Sequence, residues 1–87
     1  MKIYFAPEFA RQVEQSPPRT QNIVKMVAAY FERHPWGEII THPKIRVKRL
    51  SEQNLYSVRF EEVRVLASLV WDAAGEYWIF SQLDSRL

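Results

Sequence analysis

The spacing of apolar residues changes halfway along the chain, and that change limits the fold more than any single motif does. Between residues 7 and 34, apolar positions recur three and four apart: Phe9, Ala10 and Val13 in one stretch, then Ile23, Met26, Val27, Tyr30 and Phe31. Such spacing lines up one face of an α-helix. From residue 45 the period falls to two. Ile45 to Leu50, Leu55 to Phe60, Val63 to Trp71 and Glu76 to Gln82 are rich in β-branched and aromatic side chains, and alternation of that kind describes strands with one buried face. Helices followed by strands make an α+β pattern, in which the helices cover one face of an antiparallel sheet.

Local punctuation divides the two blocks further. Residues 2–5, Lys-Ile-Tyr-Phe, form a short N-terminal strand, and Pro7 suits the first turn of a helix expected to run to about Gln15. Ser16-Pro17-Pro18 breaks and restarts the helix, with Ser16 placed to cap a second helix that runs to about His34, where Pro35 stops it. So short a break predicts an αα-hairpin. The stretch that follows, with Glu38 and His42, reads as a loop before the sheet, and residues 45–50 read as a strand or an irregular loop. Glu61-Glu62 and Asp72-Ala-Ala-Gly75 are short enough for hairpin turns, so the last three strands form an antiparallel meander. In the 55–60 strand, Tyr56, Val58 and Phe60 point to the helices and Ser57 and Arg59 point away.

A chain of 87 residues has room for one core, so residues 1–87 are read as a single domain. Folding buries roughly 60–65% of the unfolded surface at this size. With no cysteine there are no disulfides or thiolate metal sites, which fits a reducing cytosol. Two histidines without ligand spacing give no metal site, and no cofactor is expected. Pro7 and Glu8 come too early for a signal-peptide apolar segment, and no run approaches membrane-spanning length, so a cytoplasmic protein is expected. Twelve basic and ten acidic residues leave a net charge of only +2. Their distribution says more than their sum. Lys44, Arg46, Lys48 and Arg49 fall within six residues, Arg59 and Arg64 follow, and the acids lie mainly in the helical half and in the Glu61-Glu62 turn.

Three short stretches carry a family resemblance: Lys48-Arg49-Leu50, Leu55-Tyr56-Ser57-Val58-Arg59-Phe60 and Arg64-Val65-Leu66. With the order strand, helical hairpin and meander, they resemble the RelE/ParE superfamily of type II toxin–antitoxin toxins. The resemblance implies one scaffold with two activities. RelE-like and YoeB-like members cut messenger RNA at the ribosome without a metal, whereas ParE-like members inhibit DNA gyrase; both are silenced by a cognate antitoxin. It matches Arg59 to a strand position that is basic in the nucleases, and Arg64 to the arginine that opens the next strand. RelE-like nucleases usually add a basic residue and a Tyr or His after the last strand, and Ser81 to Leu87 supply no such aromatic acid–base group.

Metal-free RNA cleavage needs the ribose 2′-hydroxyl deprotonated, the leaving oxygen protonated and charge on phosphorus stabilised. Arginine suits the last task, because its planar fork stays charged and donates two hydrogen bonds to phosphate. Arg59 and Arg64 on adjacent strands are therefore expected to clamp the phosphate, with Arg46, Lys48 and Arg49 attracting the RNA backbone. Glu38, His42, Glu61, Glu62 and Lys48 are the candidate proton carriers. Structural roles compete with these. Arg64 is equally placed to pair with Glu61 or Glu62, and the 44–49 cluster to keep an edge strand solvated. His34 suits the last turn of its helix. Trp71 and Trp78 read as core or interface, and Trp36 as a cover for the hairpin or a partner contact. So much aromatic surface on a small sheet calls for a partner.

Overall fold

The computed structural model describes residues 1–51 and 53–84. Strand β1 (Lys2–Phe5) leads into helices α1 (Pro7–Glu14), α2 (Pro18–Arg33) and α3 (Trp36–Thr41), followed by strands β2 (Arg46–Ser51), β3 (Leu55–Phe60), β4 (Val63–Asp72) and β5 (Gly75–Asp84). The strands form one sheet in the order β1-β5-β4-β3-β2. β3 to β5 are an antiparallel meander, as the alternation predicts; β2, which reads in the sequence as a strand or an irregular loop, extends it antiparallel to β3, and β1 joins the free edge of β5 in parallel. The sheet is therefore mixed, with β1 and the basic β2 as its edges.

The core lies between the helices and one face of this sheet. Phe9 of α1, Phe31 of α2, and Trp78 and Phe80 of β5 have no exposed surface, and Val58, Val63 and Val65 sit beside them almost fully buried. Their rings meet mostly edge to face: Phe31 and Trp78 at 5.2 Å, Phe9 and Phe80 at 5.8 Å, the arrangement aromatic quadrupoles favour. Trp36 closes one end over Tyr56 (5.3 Å) and Trp78 (5.5 Å), the covering role open to it in the sequence. Among the described residues the indole N–H of Trp78 has no hydrogen-bond partner. Alternation puts Tyr56 and Val58 under the helices and leaves Arg59 exposed. Gln12 of α1 ties the far end, its side-chain oxygen accepting the backbone N–H of Leu83 at 2.8 Å.

Four expectations change. Residues 36–41 form a short helix instead of a loop; Pro35 ends α2 but also fits just before a new first turn, and the apolar Ile39 has a core to enter, where it is fully buried. Ser16 does not cap α2: its hydroxyl donates to Gln12 O at 2.6 Å, ending α1, and Pro17 occupies the N-cap. The buried stripe of α2 is Thr20, Ile23, Val24, Val27, Ala28 and Phe31, which leaves Met26 47% exposed. Small residues at 20 and 28 let the helix approach the sheet, and a reading weighted by large side chains misses them. Trp71, read as core or interface, is 53% exposed and so is not core, because β4 and β5 run on past the helices; its indole N–H donates to Glu76 Oε1 across the hairpin at 2.8 Å.

Candidate functional site

The ladder registers decide which charged residues meet. Arg46 lies opposite Arg59, Arg59 opposite Arg64, and Arg64 opposite Asp84, giving one row across four strands. Their neighbours Val58, Val65 and Leu83 are buried under the helices, so the row projects from the bare face. Directly opposed residues hold their Cβ atoms about 4.5–5.5 Å apart, and like charges there are destabilising. Three adjacent guanidinium groups are thus an arrangement that stability alone disfavours. Among the described residues, Arg46, Arg59 and Arg64 make no ion pair. Arg59 is oriented from below, its Nε donating to Glu61 O at 3.2 Å.

Two polar crevices flank Arg59. One of about 400 Å³ is lined by Pro43, Lys44, Arg46, Arg59 and Glu61, and one of about 210 Å³ by Arg59, Glu62, Arg64 and Asp84. The basic cluster of β2 divides between the two faces. Lys48, opposite Ser57, shares the face of Arg46 and Arg59, whereas Arg49 lies opposite Tyr56 and belongs to the helix side. The expected set Arg46, Lys48 and Arg49 is therefore not one surface: strand alternation removes its third member.

The candidate proton carriers are mostly engaged elsewhere. Glu38 sits on α3 and pairs with His34 Nδ1 at 3.0 Å, while the His34 ring stacks on Tyr30 at the end of α2. His42 caps α3, and its Nδ1 accepts the backbone N–H groups of Lys44 (3.0 Å) and Ile45 (3.2 Å). That nitrogen must be unprotonated to do so. Neither Glu38 nor His42 lines the crevices beside Arg59. Glu61 and Glu62 do line them, but both reach back to Arg19 in the first turn of α2, Glu62 through an Arg19 Nε contact of 2.7 Å. They do not pair with Arg64 across the turn. The hydrogen bond from Arg19, reinforced by the backbone N–H of Glu62, holds the Glu62 carboxyl below the usual carboxylate range; the same pair raises the Arg19 guanidinium further. Lys48 alone of the candidates stands on the arginine face without an ion pair among the described residues.

Arg19 is the participant that sequence reading missed. It lies more than forty positions from its partners, and no local pattern announces such a contact. Among the described residues, no group of three or more His, Asp or Glu side chains is placed to hold a metal ion, and no helix is long and apolar enough to cross a membrane. The segment after β5, where a terminal acid–base residue was sought, lies at residues 85–87, outside the described residues.

No family model and no curated protein matches the sequence. Solved structures do. A chain of the toxin–antitoxin complex RelBE2 from Mycobacterium tuberculosis is 20% identical, with a TM-score of 0.72 over 98% of this chain and 96% of that one. A chain of the RelB–RelE antitoxin–toxin complex from Methanococcus jannaschii is 17% identical, with a TM-score of 0.69 over 95% and 89%. At such low identity the likeness is one of fold: with its N-terminal strand, helices and five-stranded mixed sheet, the chain has the RelE-like fold.

Proposed function

We propose that the chain is the toxin of a type II toxin–antitoxin pair and acts as a metal-independent, ribosome-associated mRNA endonuclease. The observation that carries this reading is the row Arg46, Arg59 and Arg64 on the bare face, unopposed by carboxylate pairing among the described residues. A phosphodiester is the ligand that such a row fits, since each planar fork can donate two hydrogen bonds to its oxygens.

In the proposed reaction the ribose 2′-oxygen attacks phosphorus and the bond to the 5′-oxygen breaks, leaving a 2′,3′-cyclic phosphate and a 5′-hydroxyl. Arg59 and Arg64 carry the charge that gathers on the phosphoryl oxygens. Arg46 and Lys48 extend the contact along the backbone, and Lys48 is the side chain on that face from which a proton can move. A cognate antitoxin is the expected protein partner; both structural neighbours are complexes of that kind. Primer extension on a translated message after induction tests the proposal: new 5′ ends within codons are expected, and intact transcripts during growth arrest exclude it.

A second reading has an observation of its own. Glu38, Glu61 and His42 are each held by a structural partner, which suits a binding toxin better than a nuclease. ParE-like inhibition of DNA gyrase follows from it, and a supercoiling assay with purified protein separates the two activities.

A further inference from the structure

Two carboxylates stand where they ought to spoil an anion site. Glu61 lines the crevice that holds Arg46 and Arg59, and Glu62 lines the one that holds Arg59 and Arg64. Asp84 already stands opposite Arg64; left to themselves, the two glutamates are further counter-ions within reach of those guanidinium groups, and pairing would occupy the donors that a phosphate needs. They are drawn aside instead. Arg19 binds both, through Nη2 to Glu61 and Nε to Glu62. The turn itself is set for this: Glu61 takes a left-handed φ of 54°, a conformation unfavourable for a residue with a Cβ. In that conformation its carbonyl accepts Arg59 Nε while its carboxylate reaches Arg19. With Nε so engaged, the two terminal nitrogens of Arg59 remain for a ligand.

We infer that Arg19 is a positioning residue of the arginine site: by holding Glu61 and Glu62 against α2 it keeps both carboxylates off Arg59 and Arg64, so that the pair stays open to a phosphodiester. The inference rests on the proposed RNA reading for its ligand, but its geometry does not. Surface ion pairs contribute little to folding; the Arg19, Glu61 and Glu62 side chains are 67%, 48% and 25% exposed. The contact therefore acts mainly on what the neighbouring arginines can bind.

Binding of a fluorescent 2′-O-methyl RNA oligonucleotide, which lacks the attacking hydroxyl, reads the effect without cleavage. Arg19→Ala is expected to weaken binding about tenfold. Adding Glu61→Gln and Glu62→Gln to that variant is expected to bring affinity back to near wild type, with no recovery of the unfolding midpoint. Wild-type affinity in Arg19→Ala, or no recovery in the triple variant, overturns the inference. A second readout needs no RNA: NMR titration of the Glu62 carboxyl, which Arg19 holds below the usual carboxylate range. In Arg19→Ala it is expected to stay there, now paired with Arg59 or Arg64, and to return to the usual range only when both arginines are also removed. Return in Arg19→Ala alone contradicts the inference. If the wild-type chain binds no RNA, the proposed function fails and this titration still decides the role of Arg19.

Discussion

The two faces of the sheet obey opposite rules. Under the helices, rings and branched side chains of β3, β4 and β5 interlock with Phe9 and Phe31, and among the described residues no charged side chain is buried with them. On the other face β2, β3 and β4 set Arg46, Arg59 and Arg64 side by side, against cross-strand preference. Strand alternation lets one sequence carry both, since each residue's neighbour serves the opposite surface. Stability is concentrated on one side, and the chemistry proposed above on the other.

Truncating the covered face gives the largest expected effect. Phe80→Ala removes a fully buried ring and is expected to cost about 3–5 kcal/mol, much of the stability of a small domain; urea denaturation measures it. On the bare face, Arg59→Ala with Arg64→Ala is expected to abolish growth arrest while leaving the unfolding free energy within about 0.5 kcal/mol of wild type or slightly above it. A loss of folding there would break the contrast between the faces.

A finer test compares two arginines of one strand, three positions apart and on opposite faces. Arg46→Ala is expected to reduce the salt dependence of RNA binding by about one unit of slope, whereas Arg49→Ala, on the helix side, leaves it unchanged. Equal effects would mean that strand alternation does not set the interface. The smallest effect concerns pH. Because the Glu62 carboxyl titrates below its unfolded value of 4.5, its contribution to stability is complete above that pH and fades as pH falls through the lowered value. Acid titration of the urea midpoint should therefore be shallower in a chain carrying Arg19→Ala, Arg59→Ala and Arg64→Ala, in which that carboxyl has lost every arginine within reach, than in wild type.

Much of this was legible in the sequence for a physical reason. Periods of 3.6 and 2 are imposed by burial of one face, so they appear wherever one side of an element packs; the outward position of Arg59 follows from Tyr56 and Val58 pointing inward. The pairing of Arg59 with Arg64 follows from a two-residue turn. What stayed hidden depends on tertiary contact. The stripe of α2 is fixed by how closely Thr20 and Ala28 let it approach the sheet, and α3 exists because Ile39 has a core to enter. Arg19 could not be linked to Glu61 and Glu62 before the fold set the N-terminal turn of α2 against the β3–β4 turn. His42 reads as a catalytic candidate until its Nδ1 is seen accepting two backbone N–H groups.

The claim that Arg59 and Arg64 form the working site is tested most directly by mapping transcript 5′ ends after induction of the wild-type chain and of the Arg59→Ala, Arg64→Ala chain at equal folded protein. The expected result is codon-phased ends in translated messages from the wild type alone. The same ends from both chains would contradict it.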